Sequence, residues 1–241
     1  MPVVLRLVAA LLAAAVLGGA APRAREVPRD PANPTCPAQP NWTDIREMQL
    51  TPLTRNGVRI LLAEGAIDAG LPARLRALLE SDQAIEEIWL RSPGGVARAG
   101  NEAGRIIRNL GLTTRIPSGW TCFSACNFMF MGGVGRTIEP GAVFMVHMFT
   151  FTNEAGAIRY ATEQGTEATI QLVGDIEQES ALLATEDNDF LLRMGVSRLL
   201  LTDIMYQQRA VASGNAPAQR YCLTLEEATH YNVHAPPRIE E

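Results

Sequence analysis

Three places in the chain combine residue types that could do chemistry. Ser92-Pro93-Gly94-Gly95-Val96 follows an apolar run and precedes a helical pattern. Paired glycines there permit positive φ and let backbone N–H groups approach a ligand, and a helix start behind them favours negative charge. Ser124 heads the apolar stretch Ala125-Cys126-Asn127-Phe128-Met129-Phe130-Met131, which ends in Gly132-Gly133. A serine so placed is either an N-cap or a nucleophile lying beside the N–H of Ala125. His147 closes the run Val143-Phe144-Met145-Val146, 23 residues after Ser124. A histidine there is either a satisfied core residue or a general base. Taken singly, each feature admits the plainer structural explanation.

Composition removes several alternatives. All 21 positive side chains are arginine, so the chain has no lysine for a Schiff base, a Walker-A phosphate clamp or a Ser-Lys dyad. Arginine cannot replace lysine as a base, because its pKa lies above about 12. A net charge of -5 without a basic run excludes nucleic acid as a partner, since phosphates require a concentrated positive face. His230 and His234 sit four apart with Pro236 close behind and no HExxH pattern, and read as surface histidines. Cys122 and Cys126 lack a second Cys or His pair nearby, so neither a metal nor another cofactor is expected. The four cysteines, Cys36, Cys122, Cys126 and Cys222, fit an oxidising compartment. They allow three pairings, among which the sequence does not choose.

Together and in this order, the turn, the serine and the histidine resemble the Clp-type serine proteases of the ClpP/crotonase superfamily. Those proteases carry S-P-G-G-V between a strand and a helix, as at Ser92 to Val96. Their nucleophile opens an apolar helix that runs to a small-Gly pair, as Ser124 does, and their histidine ends a strand as M-I-H, matched here by Met145-Val146-His147. Leu223-Thr224-Leu225-Glu226-Glu227-Ala228-Thr229-His230-Tyr231-Asn232-Val233 is similar to their late L-S-x-x-E-A-x-x-Y-G-L segment, so the likeness runs from about residue 58 to 233. The resemblance implies an α/β fold, a ClpP/crotonase-like spiral of repeated ββα units with a helical C-terminal portion. It implies Ser124 as nucleophile, His147 as general base, and Gly95 and Ala125 as backbone donors of an oxyanion hole. Each such donor is typically worth about 100-fold to 1000-fold in rate. Glycine is expected at the turn because a side chain would crowd the substrate carbonyl.

The chain departs from that pattern at the third member of the triad. Where the proteases place an aspartate, this chain reads Ala218-Gln219-Arg220-Tyr221-Cys222. Gln219 offers a neutral amide, and Asp189 and Asp203 are carboxylates in the helical region; the third member is unassigned. A further departure is that Cys122 and Cys126 bracket Ser124, where a disulfide would either staple the nucleophile's turn or act as a redox switch. Either thiol as nucleophile is disfavoured, because the helix start belongs to Ser124.

The elements that must position these residues alternate strand and helix. Val58–Glu64 and residues 85–90 read as strands, with Leu71, Leu75, Leu78 and Leu79 at helical spacing between them. A helix is expected over 97–110 with Ala103, Ile106, Ile107 and Leu110 on one face. Strands follow at Thr113–Ile116 and 142–146, and helices at 170–194 and 199–208. Before them, an apolar run over 7–17 follows Arg6 and precedes Gly18, Gly19, Ala20 and Ala21. This is the shape of a signal peptide over 1–20; the run is short against about 30 Å of hydrocarbon, which disfavours an uncleaved anchor. Residues 21–42, with Pro22, Pro28, Pro31, Pro34, Pro37 and Pro40, read as a stiff linker that buries no core. The domain is expected over 43–235 and a polar tail over 236–241.

The expectation is therefore an exported serine hydrolase, periplasmic or secreted. It would act on a peptide or protein substrate through an acyl-serine intermediate, as a homo-oligomer. No ATPase partner is expected, since ATP is lacking outside the cytoplasm. The alternative is a non-catalytic binding or assembly module of the same fold, motivated by the missing aspartate. A crotonase-type acyl-CoA enzyme is disfavoured by export.

Overall fold

The computed structural model describes residues 27–151, 154–204 and 219–237. The signal peptide expected over 1–20, the end of the helix expected over 199–208 and the last four residues of the tail lie outside the described residues.

A hairpin of β1 (Arg29–Asp30) and β2 (Asn33–Pro37) precedes the antiparallel pair β3 (Gln49–Arg55) and β4 (Val58–Glu64). Then come α1 (Leu71–Ser81), β5 (Glu87–Arg91), α2 (Ala97–Asn109), β6 (Thr113–Ile116), β7 (Thr121–Phe123) and α3 (Ala125–Gly132). After β8 (Arg136–Ile138) and β9 (Val143–Val146) the chain becomes helical: α4 (Ala155–Gln164), α5 (Thr166–Met194) and a π-turn over Leu200–Ile204. Strand β10 (Tyr221–Cys222) and α6 (Leu225–His230) close the order.

The main sheet runs β3-β4-β5-β6-β8, parallel from β4 onward. A second, smaller sheet runs β10-β9-β7 and is continued by a bridge from Cys122 to Ser92. Each turn of the spiral is thus a strand of the main sheet, a short stretch in the second, and a helix. This is the expected α/β spiral of ββα units with a helical C-terminal portion.

Sequence patterning explains the layers. On α1, Leu71, Leu75 and Leu79 recur at helical spacing and are buried, and Pro72 sits in the first turn where its missing N–H costs nothing. Ile88 and Leu90 of β5, buried beneath that helix layer, alternate with part-exposed neighbours. On α2, Ala99, Ala103, Ile106 and Ile107 face the core, whereas Leu110, expected on that face, caps the helix and is exposed. Helix α6 starts with a capping box: Thr224 accepts from the N–H of Glu227 while the Glu227 carboxylate accepts from the N–H of Thr224. The Thr-x-x-Glu of the late motif is therefore a helix-start device. Tyr221 adds to it by donating to Glu227 at 2.6 Å, which pushes the phenol up to about 12.

The stretch read as a stiff linker contributes structure from Arg29 onward. Cys36 is disulfide-bonded to Cys222, and the Asn33 and Thr35 side chains accept from the N–H groups of Arg220 and Cys222. Its few apolar residues could not hold it; a covalent link and polar bonds to β10 do. Among the described residues, no helix is long and apolar enough to cross a membrane.

Candidate functional site

Ser124 joins β7 to α3 with φ 58° and ψ -124°, a region that non-glycine residues avoid and that costs on the order of 1–3 kcal/mol. A strand-to-helix turn of this kind lifts the side chain out of the backbone layer. Its hydroxyl does not cap α3. It lies instead 2.7 Å from Nε2 of His147, which decides against the N-cap explanation.

The two are brought together by one carbonyl. Met145 O, in β9, accepts from the N–H of Ser124 at 3.4 Å and from Nδ2 of Asn127 at 2.7 Å. His147 follows two residues later. Phe123 packs against the imidazole with ring centroids 4.7 Å apart, and Trp42 stacks on Phe123 in turn. Asn127 was not singled out in the sequence; the available signal was one amide within an otherwise apolar helix.

The main chain of Met148 hydrogen-bonds the imidazole. With Nε2 facing Ser124, the neutral imidazole that carries its proton on Nδ1 is the tautomer in which Ser124 Oγ–H donates to Nε2. Burial depresses the histidine below its ordinary value, the Met148 bond opposes this, and the charge of Arg220 lowers it further. The imidazole is therefore neutral near pH 7 and able to accept a proton.

The turn Ser92–Val96 is held against Ser124. Ser92 donates its N–H to Thr121 O and accepts from Phe123 N–H, and its Oγ accepts from the N–H of Gly94. Ile67 accepts from Val96 N–H and donates to Gly94 O. Both glycines have positive φ, 86° at Gly94 and 147° at Gly95. A Cβ on Gly95 would collide with the carbonyl of Ile67, and one on Gly94 would meet Phe123 O and Ser124 Cβ at 2.6 Å. The expectation that glycine leaves room for a substrate carbonyl is thus supplemented by a nearer cause: the turn is pressed between Ile67 and Ser124. Ala125 opens α3, so its N–H has no carbonyl one turn earlier within the helix. Gly95, Ser124, Ala125 and His147 all line one cavity of about 390 Å³.

The carboxylates considered for the third position have other partners. Asp189 pairs with Arg193 at 2.8 Å and faces Arg105, and Asp203 accepts from Tyr231 Oη at 3.3 Å. Gln219 is an exposed residue. Since Tyr221 pairs with Val146 in antiparallel register, the next pair outward sets Arg220 beside His147, with its guanidinium 5.3 Å above the Phe123 ring. Cys122 and Cys126 form a disulfide across the Ser124 turn. His234 Nδ1 accepts from the N–H of Ile138, whereas His230 packs edge-on to Tyr231, so the two histidines face different partners.

No family model matches the chain, and no curated protein matches it. Among solved structures, the chain is similar to a mutant of ClpP1 from Listeria monocytogenes, with 16% identity and a TM-score of 0.47. That likeness covers 74% of this chain and 92% of the other.

Proposed function

We propose that the protein is a serine hydrolase, a peptidase working through an acyl-serine intermediate. The observation that carries this is the 2.7 Å contact of Ser124 Oγ with His147 Nε2, made by a serine in a strained turn that leaves its helix uncapped. Ser124 Oγ attacks the substrate carbonyl as its proton passes to Nε2, and the N–H groups of Gly95 and Ala125 receive the developing oxyanion. The imidazolium then gives its proton to the leaving amine, and water repeats the sequence to release the acyl group. Two disulfides support an exported, oxidising location. Exposed Tyr160, Ile170, Val173 and Leu182 on α4 and α5 support self-association through the helical portion; light scattering on the eluting species measures it.

The test is covalent labelling by a fluorophosphonate. Wild-type protein is expected to label at Ser124, Ser124→Ala not at all, and His147→Ala at least about 100-fold more slowly, the usual contribution of a general base. Folded protein that stays unlabelled would overturn the proposal.

A second reading, a non-catalytic binding module, is favoured by one observation: the charge beside His147 is the cation Arg220, where a triad would set a carboxylate. A carboxylate stabilises the imidazolium and is worth about 10⁴-fold in turnover. Labelling decides between the two, since a module has no use for a reactive Ser124.

A further inference from the structure

The cavity beside Ser124 is walled mainly by apolar side chains, among them Phe128, Leu183 and Leu191, yet one acid projects into it. Asp187, on α5, lines the cavity and is half-buried. Its partner among the described residues is Nδ2 of Asn101, at 3.1 Å, a neutral donor. The nearby cations are committed elsewhere: Arg98 to Glu179 and Glu186 at 3.0 and 3.1 Å, and Arg105 to Asp189. Burial, with Glu186 adding to it, pushes the Asp187 carboxyl up to about 7, the mark of an acid without a countercharge.

Asn127 lines the same cavity, with its amide oxygen buried beneath the surface. Asn127 is 5% exposed, and its Nδ2 is fixed on Met145 O, which leaves Oδ1 on the other side of the amide without a donor. A buried acceptor left unsatisfied costs roughly 1–3 kcal/mol and marks a place where a donor is missing. The cavity therefore offers a carboxylate within apolar walls. A side chain that complements acid and walls together has a methylene stem for the walls and a cationic head with donors alone. Guanidinium has five donors in one plane and no acceptor.

We infer that this cavity is a subsite for a cationic side chain of the substrate, arginine above all, with Asp187 receiving its head. The inference rests on the hydrolase reading for its role, but the recognition itself can be measured without catalysis.

The probes are pentylguanidinium and its neutral counterpart hexanamide, titrated by calorimetry into wild-type protein, Ser124→Ala and Asp187→Asn. In wild type and in Ser124→Ala, the cation is expected to bind at least about 30-fold more tightly than the amide, the scale of a buried charge pair. Asp187→Asn, whose folding is checked by near-ultraviolet circular dichroism, is expected to bring the ratio close to one. Equal binding of the two probes by wild type, or a preference that survives Asp187→Asn, overturns the inference. Fluorophosphonate labelling run alongside separates the two claims. Labelled Ser124 without cation preference leaves the hydrolase and removes the subsite, whereas cation preference without labelling supports the subsite and removes the hydrolase.

Discussion

His147 has two opposed influences at its ring: a main-chain bond from Met148 that favours the protonated form, and Arg220, which with burial disfavours it. The sign of their effect on rate is fixed. A histidine depressed by burial and a neighbouring cation loses its role as base only when pH falls below its lowered value, so the acid limb of kcat/KM lies below about 6.5. Arg220→Gln removes the smaller of the two lowering causes. The imidazolium becomes less unfavourable, the histidine's value rises, and the acid limb is expected to move upward while burial still holds it below the ordinary value. A pH–rate profile of both proteins measures this, and a limb that moves down would contradict the placement of Arg220. Arg220→Asp goes further, setting a carboxylate where the cation stood, and is expected to raise turnover. Ser124 and His147 were legible in the sequence because their types are scarce in their surroundings: a serine before an apolar helix, and one of 3 histidines. What surrounds the imidazole was not legible, because Arg220 and Met148 reach it through strand register and main-chain direction.

Helix α2 lies on α3, backbone against backbone, and that contact sets the height of Ser124. A Cβ on Gly100 would collide with the carbonyl of Ala125, one on Gly104 with the carbonyl of Phe128, and one on Gly132 with Gly104. Three glycines on two helices thus allow an approach that any side chain would spoil, and the residue at one end of it is Ala125, next to Ser124. Gly104→Ala is expected to cost about 1–3 kcal/mol by overpacking, and Gly100→Ala a similar amount with a further slowing of Ser124 labelling, because it pushes on the turn itself. Gly174 on α5, with nothing within 4 Å of an added Cβ, is the counterpart. There Gly174→Ala is expected to stabilise by about 0.5–1 kcal/mol, the backbone-entropy gain alone. Urea unfolding of the three variants checks both signs. Strands β4 and β6 fell where alternation and β-branching set them, and α1 and α2 began at the expected residues because leucine and isoleucine spacing is a strong signal. The glycine spacing Gly100-x-x-x-Gly104 was present in the same stretch, but glycine carries no hydrophobic periodicity, so a reading based on apolar stripes passes over it.

Two disulfides bind the molecule at different ranges, and their consequences separate accordingly. Cys122 and Cys126, 4 residues apart, are both 0% exposed. A reductant in solution does not meet either sulfur in the folded protein, which favours a staple under Ser124 over a redox switch. Cys36 and Cys222 are 186 residues apart and join the N-terminal hairpin to β10. Strand β10 pairs in turn with β9, whose end carries His147. In the chain-entropy account a link over so long a loop stabilises by on the order of 5 kcal/mol, whereas the short one contributes about 2 kcal/mol. The paired variant Cys36→Ala with Cys222→Ala is therefore expected to lose the larger share of stability in thermal or urea unfolding. It also frees the hairpin from the strand beside His147, so Ser124 labelling is expected to slow. Cys122→Ala with Cys126→Ala is expected to show the reverse balance: a smaller loss of stability and a larger loss of labelling rate, since the strained turn is then held by hydrogen bonds alone. If the two pairs changed stability and labelling in the same proportion, neither disulfide would have a separate role at the site.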